Sequence, residues 1–304
     1  MKKNTIVALQ RALLFLLLAA VFLGTILYPR SDASSEAEQD ARVVHIWNID
    51  TFEGGKGSRT SFLSRVARLA EKQLSGVYYR ILSYTAEGAQ AAMAQGEYPD
   101  LLSFGIGMSV DETRCLSFSV SAFSGSRKAI PWCRGQYFLF SLKDDFSNLS
   151  DDGGNTVISV GGANLSCAAA YFSEVKGTEE ESLAAYLDFL AGKYQYLLGT
   201  QRDTARFAAR GVNVYCQELP AYCDLYQYIA FMSEELRTEC LKFVEILFSE
   251  EIQSSLSDIG MLPAKGASGL TINIFSDASW LKDAASAVRS ESSEKNPEKF
   301  FEFI

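Results

Sequence analysis

Strands and helices alternate along residues 43–107, and this alternation constrains the architecture more than any other feature of the sequence. The largely apolar run VVHIWNI at 43–49 is typical of a strand buried on both faces. An amphipathic helix is predicted at about 60–74, with its apolar residues on one face. A strand at 77–84, an alanine-rich helix at about 87–95 and a third strand within YPDLLSFGIG follow. Units of this kind form a parallel sheet with right-handed crossovers, so the sequence predicts an α/β fold.

A second α/β unit is predicted further along the chain. Residues 155–162 read NTVISVGG and are expected to form a strand. Thr178, followed three residues later by Glu181, has the spacing of a capping box and predicts a helix over about 179–191. The run YQYLLG at 194–199 predicts another strand, which leads into GTQRD and a short helix.

Two further segments complete the predicted organisation. The segment AIPWCRGQYFLFS at 129–141 is expected to be extended and to cross from one α/β unit to the other. The last third of the chain is predicted to be mostly helical, with helices at about 222–232, 234–248 and 250–257. Two units joined by a crossing segment leave a cleft between them, and clefts between domains are where ligands bind.

The N-terminus has the plan of a targeting segment. Three basic residues precede an apolar run at 12–27, an arrangement that is typical of a signal peptide. The run is nearly long enough to span a bilayer, so residues 1–30 are interpreted as either a signal peptide or a membrane anchor. Either one places the rest of the chain outside the cytoplasm, secreted or held at the cell surface. Residues 31–42 are expected to form a flexible tether.

Charge and composition exclude several classes of function. The net charge of −9 argues against nucleic acid as a partner. Six cysteines without C-x-x-C spacing and a single histidine argue against a zinc site. The cysteines are interpreted as small buried apolar residues, with one disulfide left open. His45 has no visible serine or cysteine partner, and the paired carboxylates at 144–145 and 151–152 have the character of solvated loop charge. Neither an enzyme nor a cofactor is therefore predicted.

Three turns at the carboxyl ends of predicted strands are the candidate binding segments, because ligands of open α/β sheets bind there. They are IDTFEGGKGSR, SFGIG and GTQRD. The first matches neither a P-loop nor a dinucleotide fingerprint. Its glycines allow close approach of a ligand, and the helix behind it favours an anion; a flexible loop with Lys56 and Arg59 in water is the alternative. In GTQRD, Arg202 offers paired donors for a carboxylate, a phosphate or sugar hydroxyls, and a surface pair of Asp203 with Arg206 is the alternative.

Six segments occur in a recognisable order: VHIWNIDTFEGGKGSR, YPDLLSFGIG, IPWCRGQYFLF, LLGTQRDTARFAAR, CDLYQYIAF and LSDIGMLP. Together they resemble the extracellular solute-binding proteins of ABC importers, which have the type 2 periplasmic-binding-protein fold. The resemblance covers roughly residues 43–265 and implies two lobes that close on a ligand about a hinge. It places ligand contacts at Asp50, Thr51, Glu53, Arg59, Phe104, Gly105, Trp132, Arg134, Thr200, Gln201, Arg202 and Asp203. Phe104 and Trp132 of this set, together with Tyr137 in the crossing segment, are the candidates for stacking on a sugar ring.

The resemblance also implies a domain organisation and a function. Residues 43–135 are expected to form the first part of lobe 1, residues 136–219 a shortened lobe 2, and residues 220–304 a helical part that packs mainly on lobe 1. The expected function is the capture of a small polar solute, first of all a sugar or oligosaccharide, by a monomer that delivers it to ABC permease subunits. The shortened second lobe and the lack of a lipid-anchoring cysteine favour the alternative, a membrane-tethered sensory or interaction protein on a degenerate solute-binding fold.

Overall fold

Two separate β-sheets organise the chain. The computed structural model describes residues 41–143, 146, 148–149, 153–161, 170, 174–219, 225–264 and 275. The predicted targeting segment and most of the tether lie outside these residues. Tertiary contacts group Arg42–Ile304 into one unit. Among the described residues, no helix is both long and apolar enough to cross a membrane.

The helices and strands are numbered here in chain order. They are β1 (Arg42–Ile49), α1 (Arg59–Glu71), β2 (Val77–Tyr84), α2 (Ala86–Ala94), β3 (Leu101–Gly105), β4 (Ala129–Arg134), β5 (Tyr137–Ser141), β6 (Thr156–Val160), β7 (Thr178–Glu181), α3 (Ser182–Leu190), β8 (Tyr196–Thr200), α4 (Gln201–Arg210), β9 (Tyr215–Leu219), β10 (Tyr226–Phe231), α5 (Arg237–Leu247), α6 (Glu250–Ser254) and β11 (Leu262–Pro263). Two 3-10 helices, at Glu112–Arg114 and Ser255–Ile259, complete the described elements.

The first sheet has six strands in the order β11-β4-β10-β3-β1-β2. Strand β1 runs parallel to both β2 and β3, as two consecutive β-α-β units require. Helix α1 covers this part of the sheet because its apolar stripe, which includes Phe62, Leu63 and Val66, is buried. Its start is fixed by Ser58, whose side chain accepts a hydrogen bond from the Ser61 amide at 3.2 Å. The lobe built on this sheet is called the first lobe below.

The second sheet has five strands in the order β7-β6-β8-β5-β9. Strands β6, β7 and β8 are parallel, whereas β5 is antiparallel to both of its neighbours. A separate apolar cluster, which includes Phe140, Tyr186, Phe189 and Phe207, joins this sheet to α3 and α4. The lobe built on this sheet is called the second lobe. The two sheets confirm the predicted two-lobed α/β fold.

The predicted crossing segment contributes one strand to each sheet. Strand β4 pairs in the first sheet and β5 in the second, and only Gly135 and Gln136 separate them. The Gln136 side chain donates to the carbonyl of Leu219, at the end of β9, so the crossing is fastened to the second sheet. A Cβ at Gly135 would lie 2.5 Å from Oε1 of Gln201, so a larger residue here would displace that side chain from its hydrogen bond with the Gln136 backbone amide.

One predicted helix start and one predicted helix are wrong where the structure describes them. The supposed capping box at Thr178 is instead strand β7, which pairs with β6, and the helix begins at Ser182. The predicted helix at 222–232 contains β10, all of whose six residues are buried between β3 and β4. In both cases pairing with a distant strand decides the conformation. The remaining C-terminal helices follow the prediction, since α5, α6 and the 3-10 helix after it cover most of 237–259.

Candidate functional site

The glycine-rich loop after β1 encloses the protein's own backbone. The amides of Lys56 and Gly57 both donate to the carbonyl of Ile259, at 2.9 and 3.3 Å. A Cβ on Gly55 would lie 2.2 Å from the carbonyl oxygen of Gly260, so only glycine permits this approach. Lys56 itself is exposed. The glycines therefore do allow a close approach to the loop, as the sequence predicts, but in this structure the approaching group is the protein backbone just before β11.

Arg59 is buried beneath the same loop, with 2% of its surface exposed. Its Nε lies 2.8 Å from Oδ1 of Asp50, and its guanidinium donates to the carbonyl of Phe52. The guanidinium also lies over the Phe52 ring, 4.2 Å from its centre. Arg59 is thus not in water; it holds both ends of residues 50–52 against the start of α1.

A fully buried polar network lies behind Asp50. Asn48 donates to Asp50 Oδ1 at 2.9 Å and accepts from the hydroxyl of Ser103 at 2.9 Å. The amide of Gln227 donates to the Ser103 hydroxyl at 3.1 Å, as does the Trp132 indole at 3.2 Å. The network therefore connects β1, β3, β4 and β10, and it fixes where the loop leaves the sheet. Sequence reasoning missed Asn48, Ser103 and Gln227, whose only signal was a polar side chain inside an apolar strand.

The three aromatic candidates for sugar stacking lie in the core. Phe104, Trp132 and Tyr137 have no exposed surface, so none of these rings faces solvent in this arrangement. Gly105 lies against Thr51, since a Cβ there would be 2.1 Å from the Thr51 hydroxyl oxygen. That hydroxyl is buried and has no hydrogen-bond partner among the described residues. The exit of β3 and the loop after β1 are thus in direct contact, as adjacent strand ends of one sheet must be.

The start of α4 is built by two of the predicted ligand residues. Thr200 and Asp203 form a capping box, in which Asp203 accepts from the Thr200 amide at 3.1 Å. Asp203 is completely buried and also accepts from Arg206 at 2.8 Å. Burial raises the pKa of the Asp203 carboxyl, although its hydrogen bonds with Thr200 and Arg206 act in the opposite direction. In this structure both residues fix the first turn of α4, from which the side chains of Gln201 and Arg202 project.

Gln201 and Arg134 lie at the crossing between the sheets. The side-chain Oε1 of Gln201 accepts from the backbone amide of Gln136 at 2.9 Å. The backbone amide of Gln201 in turn donates to the carbonyl of Gln136 at 3.0 Å. Arg134 donates to the carbonyl of Gly135 at 3.3 Å and to the Gln136 side chain. Both side chains stabilise the crossing, so a movement of one lobe against the other must disturb them.

Direct contacts connect the two lobes across the candidate cleft. Gln201 Nε2 donates to the carbonyl of Glu53 at 3.1 Å, and Arg202 donates to the carbonyl of Gly55. The Glu53 carboxylate accepts from Arg206 at 3.1 Å and from Ser182 at 2.8 Å. Sequence reasoning did not include Ser182 or Arg206 in the site; Arg206 stands one helical turn beyond Arg202, which was its only signal.

The chemistry of this junction is that of recognition by hydrogen bonds. Its groups are carboxylates, guanidiniums, amides, hydroxyls and backbone carbonyls, which suit a polar ligand. Among the described residues, no group of three or more histidine, cysteine or acidic side chains is arranged to hold a metal ion. Glu53, Gln201 and Arg202 come together here. Asp50 instead contacts Asn48 and Arg59, and Phe104 and Trp132 lie in the core.

Solved structures share this architecture at low sequence identity. Trichodesmium IdiA (FutA), in complex with iron and citrate ligands, matches with a TM-score of 0.55 and 13% identity over 81% of this chain and 96% of that one. The substrate binding domain of a putative molybdenum ABC transporter from Clostridium difficile matches with 0.52 and 14%, over 73% and 99%. The maltose-maltodextrin binding protein of Alicyclobacillus acidocaldarius matches with 0.51 and 12%, over 86% and 98%.

Identities this low carry information about the fold alone. No protein-family model matches the sequence, and no curated protein sequence matches it either. The agreement nevertheless extends over most of both chains in each comparison. The chain therefore has the two-lobed fold of the solute-binding proteins of ABC importers.

Proposed function

We propose that this chain is an extracytoplasmic solute-binding protein that encloses a small polar solute between its lobes and presents it to an ABC permease. One observation carries the proposal: the loop after β1 and the start of α4 face each other at the junction of the lobes, with hydrogen-bonding groups on both sides. Binding and release require only a hinge movement, so neither catalysis nor a cofactor is part of the proposal.

A carbohydrate is the solute class that we propose to test first. Sugar hydroxyls both donate and accept, so they suit the guanidinium of Arg202 on one side and the Asp50 and Glu53 carboxylates on the other. The titles of the similar structures name iron with citrate, molybdenum and maltose-maltodextrin, so one fold serves solutes of different chemistry. The buried rings of Phe104 and Trp132 weigh against a stacked sugar in this closed arrangement.

A second function is favoured by a specific observation. The groups proposed to hold a solute bind each other directly, so the cleft is closed by the protein itself. A membrane-tethered sensory or interaction protein on the same fold has no need to open for a transported solute. The two functions differ in whether any solute stabilises the folded protein.

Thermal unfolding of the full-length chain tests the proposal against mono- and oligosaccharides, amino acids, peptides, oxyanions and ferric citrate. A bound solute at about 100 times its dissociation constant adds roughly 2.7 kcal/mol, which raises the midpoint by about 4 °C for a chain of this length. Arg202→Ala should remove that shift. Arg210→Ala is the matched control, because Arg210 lies on the same helix and packs over Tyr186.

The outcomes separate the two functions. A shift that Arg202→Ala removes and Arg210→Ala retains supports solute binding at the junction of the lobes. A shift that both variants retain places the solute elsewhere and contradicts the proposed site. The absence of any shift with a folded, ligand-free protein would instead favour the interaction protein.

A further inference from the structure

The Glu53 carboxylate is bound by the second lobe as a ligand would be. Its Oε1 accepts from Nη2 of Arg206 at 3.1 Å, and its Oε2 accepts from the hydroxyl of Ser182 at 2.8 Å. Both oxygens therefore have a donor from across the cleft. Ser182 is the first residue of α3 and Arg206 lies on α4, so two helices of the second lobe converge on one carboxylate.

In the neighbouring contacts, too, the second lobe donates hydrogen bonds and the first lobe accepts them. Gln201 and Arg202 donate to the backbone carbonyls of Glu53 and Gly55. At this loop the first lobe supplies the acceptors and the second lobe supplies the donors. A surface that presents a guanidinium and a hydroxyl to one carboxylate is suited to anionic groups of that shape.

The position of Glu53 makes the contact reversible. Its side chain is 43% exposed, whereas that of Arg206 is 17% exposed. A partly exposed ion pair contributes little to stability, so a competing anion can displace it. Arg206 is also held by Asp203 at 2.8 Å, so its guanidinium stays in place when Glu53 leaves. The donors thus form a subsite that does not depend on Glu53, and the Glu53 carboxylate is bound in it in this structure.

We propose that Glu53 is an internal ligand that holds the lobes closed without a solute, and that it occupies a subsite for carboxylates formed by Ser182 and Arg206. A solute that takes the place of Glu53 at these donors must carry a carboxylate or a similar anionic group, so among the carbohydrates tested first an acidic sugar is favoured over a neutral one. This inference rests on the proposed function for the use of the subsite, and it narrows the solute class from polar to anionic.

Chemical rescue tests the inference with acetate as the probe. In full-length Glu53→Ala, the removed carboxylate leaves room for acetate at the donors. Acetate at about ten times its dissociation constant should raise the unfolding midpoint of this variant by about 2 °C, compared with chloride at the same ionic strength. The wild type, in which Glu53 fills the subsite, should respond at least several-fold less.

Two controls give the test its specificity. Glu97→Ala removes an exposed glutamate of the first lobe that has no side-chain hydrogen bond or ion pair among the described residues, and it should behave as the wild type. The double variants Glu53→Ala/Arg206→Ala and Glu53→Ala/Ser182→Ala should lose the response to acetate. The serine variant keeps the arginine and the cap of α4, so it remains informative if the arginine variant does not fold.

Hydrogen exchange of the amides in residues 50–57 provides the conformational readout. Exchange should rise in Glu53→Ala and return towards the wild-type rate when acetate is added, because closure depends on the filled subsite. If the Glu53 contact were merely structural, exchange would rise in Glu53→Ala and acetate would not lower it again. If acetate affects Glu53→Ala and the wild type equally, or neither, the inference is wrong, while solute binding that depends on Arg202 would still stand by its own test.

Discussion

Gly55 and Gly54 are adjacent, yet alanine should have opposite effects at the two positions. A Cβ at Gly55 would lie 2.2, 2.4 and 2.5 Å from the O, C and Cα atoms of Gly260, all of them backbone atoms that have no rotamer to change. A Cβ at Gly54 would have its nearest neighbour at 3.5 Å, an ordinary contact. Neither glycine has a positive φ, so space alone distinguishes them.

The cost at Gly55 follows from the contacts that must separate. Overpacking of this kind costs about 1–3 kcal/mol. If the loop moves away instead, it loses the two hydrogen bonds to the Ile259 carbonyl, worth about 1 kcal/mol each. We therefore expect Gly55→Ala to lower the free energy of unfolding by about 3 kcal/mol. Gly54→Ala should raise it by about 0.5 kcal/mol, because alanine reduces the entropy of the unfolded chain.

Urea unfolding of the two variants and the wild type measures the difference. With a slope of about 3 kcal/mol per molar urea for a chain of this size, Gly55→Ala should lower the midpoint by about 1 M, and Gly54→Ala should leave it unchanged or slightly higher. Equal midpoints for the two variants, with equal slopes, would show that the loop is not held against Gly260 and would refute the reasoning.

Two further predictions concern buried groups. Arg59→Met should lower the free energy of unfolding by about 2 kcal/mol, less than for a fully buried pair because Asp50 is 41% exposed; Arg68→Met, on the exposed face of the same helix, should have little effect in the same urea assay. A larger loss for Arg68 would contradict the placement of Arg59. In native protein treated with iodoacetamide, Cys216 should be alkylated and Cys133 should not, because Cys216 is exposed whereas burial raises the pKa of the Cys133 thiol. Peptide mapping by mass spectrometry reads both sites at once, and rapid alkylation of Cys133 would contradict its burial.

The candidate site was predicted in outline because of a general property of α/β sheets. Strands ending at the same edge bring the turns after β1 and β3 together, whatever the residues in them. The sequence therefore placed Asp50 and Thr51 near Gly105, whereas only the resemblance to solute-binding proteins set Arg202 opposite them. It could not show that Glu53 meets Ser182 and Arg206, since these contacts depend on how the second lobe is turned towards the first.

The roles within the site were harder to predict than its place. Arg59 follows three glycines and has the pattern of a solvent-facing or ligand-binding residue, yet its ion pair with Asp50 is beneath the loop. Asn48, Ser103 and Gln227 were overlooked because each is a single polar residue in an apolar strand. Burial of a polar group is favourable only when partners are present, and those partners come from other strands.

Local patterns determined the α/β class, the order of the first three strands, the amphipathic helices and the short helix after GTQRD, because each depends on neighbours a few residues away. Tertiary structure decided the rest. Residues 178–181 and 226–231 became strands through pairing with β6, β3 and β4. The glycine-rich loop after β1 contacts Ile259 and Gly260, which are far away in the sequence. Such contacts depend on the packing of the whole chain, so they cannot be predicted from local periodicity in the sequence.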